Sequence, residues 1–370
     1  MIYVYSGNMD IVNVVANLEV TPCQPRSCPH GRLAESWLHR INSIFAVFRA
    51  VSTSFSHLFP ADILVEKEDP SMFKLHGIYA PIATPFSGGK IAYDKLEKNL
   101  DFWLKSDLEG IVVMGSNGEF VLLSSEEKVE LMRFVCTRAK GKKPVIAGTG
   151  AESTMETIHL NEKAAEAGAE AVLVVTPNYY KGSMTDPVLA RFYTDVANVS
   201  PLPLILYNMP RNTGINISAK LAVELAKHQN IIGIKDSSGN IVQIADMIRN
   251  APKGFSVFAG SASFLYVSLV LGATGGTLAL ANVFPNECAR LQKLFEAGKM
   301  EEARNLQMVL MDSNNAVTER WGIAGLKAAM EMVGLYGGPP RSPLVPLGET
   351  DREALRKILT QTGFFPKPTV

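Results

Sequence analysis

The chain has 370 residues, enough for one large domain or two ordinary ones. Its hydrophobic fraction of 47% and charged fraction of 19% are those of an ordinary globular protein. Basic and acidic side chains cancel at 36 each, which leaves no electrostatic footprint for nucleic acid or an anionic membrane. No apolar run approaches the roughly 18 residues needed to span a bilayer.

Residues 1–72 lack the rhythm of the rest and are read as a poorly patterned N-terminal extension. "SWLHRINSIFAVFRAVSTSFSHLF" (36–59) has no acidic residue, several serines, two arginines and an amphipathic helical pattern, the composition of part of a mitochondrial transit peptide. Asp10 and Glu19 precede it, however, and Met72 stands just before the regular pattern, so an extension or a mis-assigned start fits better than a targeting segment. The compartment is left as cytosol or mitochondrion. Cys23, Cys28 and His30 have the wrong spacing for a zinc knuckle, and no second ligand pair follows. Cys136 and Cys288 fall in helical patterns and read as plain buried thiols.

From Gly77 onward, short apolar strands alternate with amphipathic helices. The strands are expected over 77–86, 110–116, 144–150, 171–177, 203–208, 231–237, 255–261 and 273–280. Helix starts are marked by Ser124 with Glu127, a capping box, and by Ser218 as an N-cap. Eight β/α units with nearly continuous apolar strands predict parallel strands covered by helices. Eight such units close a (β/α)8 TIM barrel, here with a C-terminal helical extension, in one functional unit over 73–363 followed by a short tail at 364–370. An open doubly wound sheet is the alternative.

A (β/α)8 barrel carries its active site at the C-terminal ends of the strands. Those ends hold Thr84, "GSNGE" (115–119), "GTG" (148–150), "TPNYY" (176–180), "LYNMP" (206–210), Lys235 in "GIKDSSG", and "AGS" (259–261). Burying a lysine in an apolar barrel mouth disfavours its ammonium form and frees the amine, which can attack a ketone to form an iminium electron sink. A tyrosine one strand over, Tyr207, is placed to shuttle protons. Serine hydroxyls and backbone N–H groups in "GSNGE" suit a carboxylate. The constellation predicts a Schiff-base aldolase or lyase acting on a 2-oxo acid. The bland alternatives are a structural Lys235–Asp236 pair and a core Tyr207.

Rival chemistries fail on inspection. "GTGAES" imitates half of a dinucleotide loop, but no acidic residue ends the next strand. None of the six histidines falls at a strand C-terminus, so no metal is expected, and no Walker-type phosphate loop is present.

The motifs "PIATPF", "GSNGEF", "VTPNYY", "LYNMPRNTG", "GIKDSSG" and "AGSASF", in this order, resemble the dihydrodipicolinate synthase and N-acetylneuraminate lyase superfamily of Schiff-base aldolases over about residues 76–363. The resemblance implies a (β/α)8 barrel, a homotetramer, pyruvate as product and no cofactor. It makes Lys235 the imine-forming lysine and Tyr207 the proton-transfer tyrosine. Ser116 and Asn117 become the pyruvyl-carboxylate site, with Ser116 also relaying protons. Tyr179 matches a tyrosine that a neighbouring subunit inserts near the site, and Ser237 and Gly260 match pocket positions.

Two departures bear on the branch. The synthases carry two threonines at Ser116-Asn117 and, at Asn212, an arginine that holds the second substrate's carboxylate; here the arginine is Arg211. "GSNGEF", "NTG" and the tail from 315 instead resemble 4-hydroxy-2-oxoglutarate aldolase, so cleavage of 4-hydroxy-2-oxoglutarate to pyruvate and glyoxylate is the expected activity. Behind it stand a 2-keto-3-deoxy sugar-acid aldolase and the dihydrodipicolinate synthase activity. An oxo-acid-binding sensor and a pure scaffold are further classes, both opposed by the intact Lys235 and Tyr207.

Overall fold

The computed structural model describes residues 73–365. The readings made for the extension, including the targeting segment and Cys23, Cys28 and His30, lie outside the described residues.

Eight strands, all paired in parallel, close a barrel in chain order: β1 (Gly77–Pro81), β2 (Gly110–Val113), β3 (Val145–Gly148), β4 (Ala171–Val175), β5 (Leu204–Asn208), β6 (Ile231–Asp236), β7 (Ser256–Ala259) and β8 (Gly275–Thr277). Closure comes from β8 lying against β1, with Gly77 opposite Gly275. A Cβ at Gly275 would stand 2.1 Å from the Gly77 carbonyl oxygen, so a side chain there would pry the seam apart. The open doubly wound alternative is thereby excluded.

Between the strands run α1 (Tyr93–Lys105), α2 (Ser125–Ala139), α3 (Thr154–Ala167), α4 (Asp186–Val199), α5 (Ala219–Leu225), α6 (Ile241–Asn250) and α7 (Leu265–Leu271); α8 (Pro285–Glu296) follows β8. Both expected caps form. Ser124 Oγ accepts from Glu127 N while Glu127 Oε2 accepts from Ser124 N, and Ser218 Oγ accepts from Leu221 N. These satisfy backbone donors that a helix start leaves open.

Alternation along each strand sorts side chains into two cores, because successive side chains on a strand point to opposite faces. Tyr79, Val112, Ile146, Leu173, Ile205, Tyr207 and Phe258 fill the barrel interior. Ile78, Ile111, Val113, Val172, Val174, Leu204, Leu206 and Ile234 face the helices, packing against residues such as Trp103, Leu131, Leu160 and Leu189. Each fully buried aliphatic side chain contributes roughly 1.5–3 kcal/mol, so this outer layer carries much of the fold. Cys136 and Cys288 belong to it, and burial, aided by Glu170, pushes the Cys136 thiol up to about 12.

Every strand is shorter than its apolar run. The first ends at Pro81, not at the expected Thr84, which is buried and donates from Oγ1 to the Gly118 carbonyl oxygen at 2.8 Å. A two-residue ribbon, Phe86–Ser87 against Lys90–Ile91, follows. Beyond the barrel come α9 (Met300–Asn315), a widened π-helical turn Ala316–Arg320, α10 (Gly322–Met332) and α11 (Glu349–Gln361). Among the described residues no helix is long and apolar enough to cross a membrane.

Candidate active site

The alternation that places Ile234 outward turns Lys235 into the barrel mouth. Lys235 is 4% exposed, and its Nζ lies 4.1 Å from the centroid of the Tyr207 ring. The two residues are direct register partners on β6 and β5. Tyr207 Oη in turn lies 3.2 Å from Ser116 Oγ. The lysine nitrogen therefore rests over the ring whose hydroxyl reaches Ser116, and side chains from three strand ends meet here.

Asp236, the next residue, belongs to the opposite face. Its carboxylate accepts from Asn208 Nδ2 at 2.8 Å, Ser238 N at 2.8 Å and Gln243 Nε2 at 3.0 Å. Among the described residues no ion pair involves Lys235, so the structural Lys235–Asp236 pairing does not form. Instead, Asn208 and Asp236 brace β5 to β6 directly behind Tyr207 and Lys235.

The loop after β2 is sharply bent. Ser116–Gly118 form a single 3₁₀ turn between Met114 and Glu119, and both flanking residues have φ near 57°. Two side-chain-bearing residues in the left-handed region are costly, and such strain is held only where surrounding contacts fix it. One support is Gly148, whose missing Cβ leaves room for the Met114 carbonyl oxygen, which a Cβ would meet at 2.1 Å. The bend carries Ser116 and Asn117 to the wall of a cavity of about 410 Å³.

Lys235, Tyr207, Ser116, Asn117, Ser237 and Gly260 all line this cavity. Gly260 is required by close approach, since a Cβ there would fall 1.9 Å from Ser237 Oγ. Ser237 Oγ is buried with no partner among the described residues, as are Thr149 Oγ1 and Thr176 Oγ1 at the ends of β3 and β4. Tyr179 is the exception among the expected residues. It lies off the cavity, 77% exposed, its ring edge-on to Tyr180 at 5.1 Å, while Glu152 fixes the loop by accepting from Asn178 N and Tyr179 N.

Part of the wall was not anticipated. Val317, Thr318 and Glu319 of the turn between α9 and α10, with Gly322 and Ile323 at the start of α10, close one side of the cavity, and Arg211 approaches Glu319 at 3.5 Å. Thr277 on β8 also lines it. The widened turn carries no sequence mark beyond "NAVTERWG", so no periodicity argument finds it. No group of three His, Cys, Asp or Glu residues able to hold a metal ion occurs among the described residues.

The sequence pattern of the Dihydrodipicolinate synthetase family matches residues 74–362. The chain belongs to this family. With it, the chain is a carbon–carbon lyase of the pyruvate-dependent, imine-forming class I type. It is 37% identical over 294 residues to the 4-hydroxy-tetrahydrodipicolinate synthase of Syntrophus aciditrophicus, covering 80% of this chain and 100% of that one. Among solved structures it is similar to the 4-hydroxy-tetrahydrodipicolinate synthase of the methanotroph Methylacidiphilum fumariolicum SolV, with a TM-score of 0.75, 32% identity and coverage of 78% and 96%. A further neighbour is YagE, a prophage protein of the dihydrodipicolinic acid synthase family from E. coli K12 solved with pyruvate, with a TM-score of 0.74, 28% identity and coverage of 78% and 99%. These relatives bear out the superfamily and the barrel; for the substrate they carry the synthase name, not that of 4-hydroxy-2-oxoglutarate aldolase.

Proposed function

We propose that the protein is a class I aldolase that cleaves a 4-hydroxy-2-oxo acid to pyruvate and a carboxylate-bearing aldehyde, with 4-hydroxy-2-oxoglutarate as the favoured substrate and glyoxylate as its aldehyde. The observation that carries the chemistry is the meeting of Lys235, Tyr207 and Ser116 at the mouth of one cavity.

The Lys235 amine adds to the 2-oxo carbon and expels water to form an iminium ion. Tyr207, coupled to Ser116, takes the proton of the 4-hydroxyl. The C3–C4 bond breaks, its electron pair moves into the iminium, and the aldehyde leaves an enamine of pyruvate on Lys235. Protonation at C3 and hydrolysis release pyruvate and restore the amine. Ser116, Asn117 and the N–H groups of their turn hold the pyruvyl carboxylate, and Ser237 and Gly260 shape the adjoining pocket. The distal carboxylate falls toward Arg211, the cation of the rim.

Ser116-Asn117 and Asn212 favour this reading over the synthase, whose family pattern differs at those positions. A second reading, formation of 4-hydroxy-tetrahydrodipicolinate, is favoured by the Syntrophus and Methylacidiphilum relatives, both of which carry the synthase name. Both begin with the same pyruvyl imine. The exposed Tyr179 suits insertion into a neighbouring copy's site in a homotetramer. The bacterial relative lends the mitochondrial expectation no support.

The test is a two-sided assay on the full chain: release of pyruvate and glyoxylate from 4-hydroxy-2-oxoglutarate, and formation of 4-hydroxy-tetrahydrodipicolinate. A kcat/KM at least about ten-fold higher for cleavage, a difference of about 1.4 kcal/mol in transition-state binding, supports the aldolase. The opposite order installs the synthase.

A further inference from the structure

The bent turn that carries Ser116 and Asn117 ends at Glu119, whose side chain is 1% exposed. Its partner is Lys327 of α10, also 1% exposed, with Nζ 2.6 Å from Glu119 Oε1. Lys327 spends its aligned hydrogen bonds on two carbonyls, Thr84 O at 2.8 Å and Pro339 O at 3.1 Å, and stands 4.5 Å from the Phe86 ring centroid. The other Glu119 oxygen accepts from the backbone N–H of Arg341 at 2.7 Å. Arg341 then straps the outer side of the same loop: its guanidinium pairs with Glu127 on α2 and donates to Leu122 O at 3.0 Å. The inner side is held by Thr84 Oγ1 donating to Gly118 O. Every one of these groups lies outside the reacting cavity, and three of them, Lys327, Pro339 and Arg341, come from the chain beyond the barrel.

We infer that Glu119, Lys327 and the backbone at Arg341 are positioning residues: the C-terminal extension fixes the Ser116–Asn117 turn in the strained shape that receives the pyruvyl carboxylate. The physical reason is the backbone. Glu119 has φ near 57°, a conformation a glutamate leaves unless tethered, and relaxing it rotates the peptide units that precede it. A carboxylate held at both oxygens by a buried ammonium and a backbone N–H is such a tether. Gly337 permits the approach, since a Cβ there would lie 2.1 Å from the Lys327 carbonyl oxygen.

The inference rests on the proposed carboxylate role of Ser116 and Asn117, and its test separates the two. Full-length protein is titrated with pyruvate or with acetone, a ketone lacking the carboxylate, under borohydride, and reduced adduct on Lys235 is quantified by peptide mass spectrometry. In the paired variant Glu119→Gln/Lys327→Met, which leaves no lone buried charge, the pyruvate concentration for half-maximal trapping should rise about ten-fold, the loss of one hydrogen bond to a charged group. The acetone value should stay unchanged. Glu119→Asp, which keeps the charge and shortens the tether, should show a smaller rise in the same direction, and decides the matter if the paired variant does not fold. Equal shifts for both ketones, or no shift for pyruvate in either variant, overturn the inference. Wild-type protein that traps acetone and pyruvate at equal concentrations removes the carboxylate site itself, and the inference falls with it.

Discussion

Two buried lysines, ninety-two positions apart by subtraction of 235 from 327, have opposite surroundings. Lys327 is 1% exposed and fully engaged, by a carboxylate, two carbonyls and the Phe86 ring. Lys235 is 4% exposed and faces an open cavity with a tyrosine ring for its neighbour and no ion pair among the described residues. Burial and, against it, the attraction of Glu119 set the Lys327 ammonium, with burial prevailing and its proton held less tightly than on an ordinary lysine. A buried amine with its bonding capacity filled is a strut. One left unfilled beside the proposed proton-transfer pair, Tyr207 and Ser116, is available to a ketone. Adjacent to Lys235, Asp236 shows how the distinction is kept: it is drawn off by Asn208, Ser238 and Gln243 on the far face of the strand.

The sharpest way to break the comparison is to remove each amine in turn. Lys235→Ala should abolish turnover without lowering stability, and a near-normal rate would end the imine mechanism. Tyr207→Phe keeps the ring beside Lys235 and deletes the hydroxyl, so kcat should fall about 10²- to 10⁴-fold with the fold intact. Lys327→Met should act the other way, leaving Glu119 as an uncompensated buried charge and lowering unfolding free energy by about 3–5 kcal/mol in a denaturant titration. A loss below about 1 kcal/mol would mean that the pair is open to water.

Smaller effects sharpen the picture. Gly260→Ala must push Ser237 aside and should cost about 1–3 kcal/mol while raising KM, which steady-state kinetics beside thermal unfolding will separate. The smallest is a pH effect at the strap. Hydrogen bonds from Arg341 hold the Glu127 carboxyl below the usual carboxylate range against partial burial. A lowered folded value stabilises the protein above the unfolded carboxylate range and stops doing so as pH falls through the folded value. Wild type should therefore exceed Glu127→Gln by under about 1 kcal/mol near pH 7, because the pair is partly open to water, with the gap closing below about pH 4. A gap that widens on acidification would contradict the assignment.

The parts of the molecule that follow from local pattern were legible in the sequence. Eight apolar runs named the barrel, and the rule that strand C-termini carry the site pointed to Lys235 in "GIKDSSG" and Tyr207 in "LYNMP", which the fold sets side by side at one cavity. Caps at Ser124 and Ser218 followed from residue type alone. Strand ends did not, because an apolar run continues past the last ladder bond: Thr84 reads as a rim residue and is instead buried beneath the Gly118 carbonyl. The wall at 317–323 and the Glu119–Lys327 tether were missed because they join segments about two hundred positions apart, which no period reports. One signal was present, a single lysine in the otherwise apolar and small-residue run "GIAGLKAAM".

The central claim is that Lys235 is placed to form an imine. Incubating the full chain with pyruvate, reducing with borohydride and mapping the product by peptide mass spectrometry tests it most directly. The account predicts one reduced pyruvyl group, on Lys235, and none in Lys235→Ala. A well-folded sample with no adduct, or with the adduct on another lysine, would contradict it.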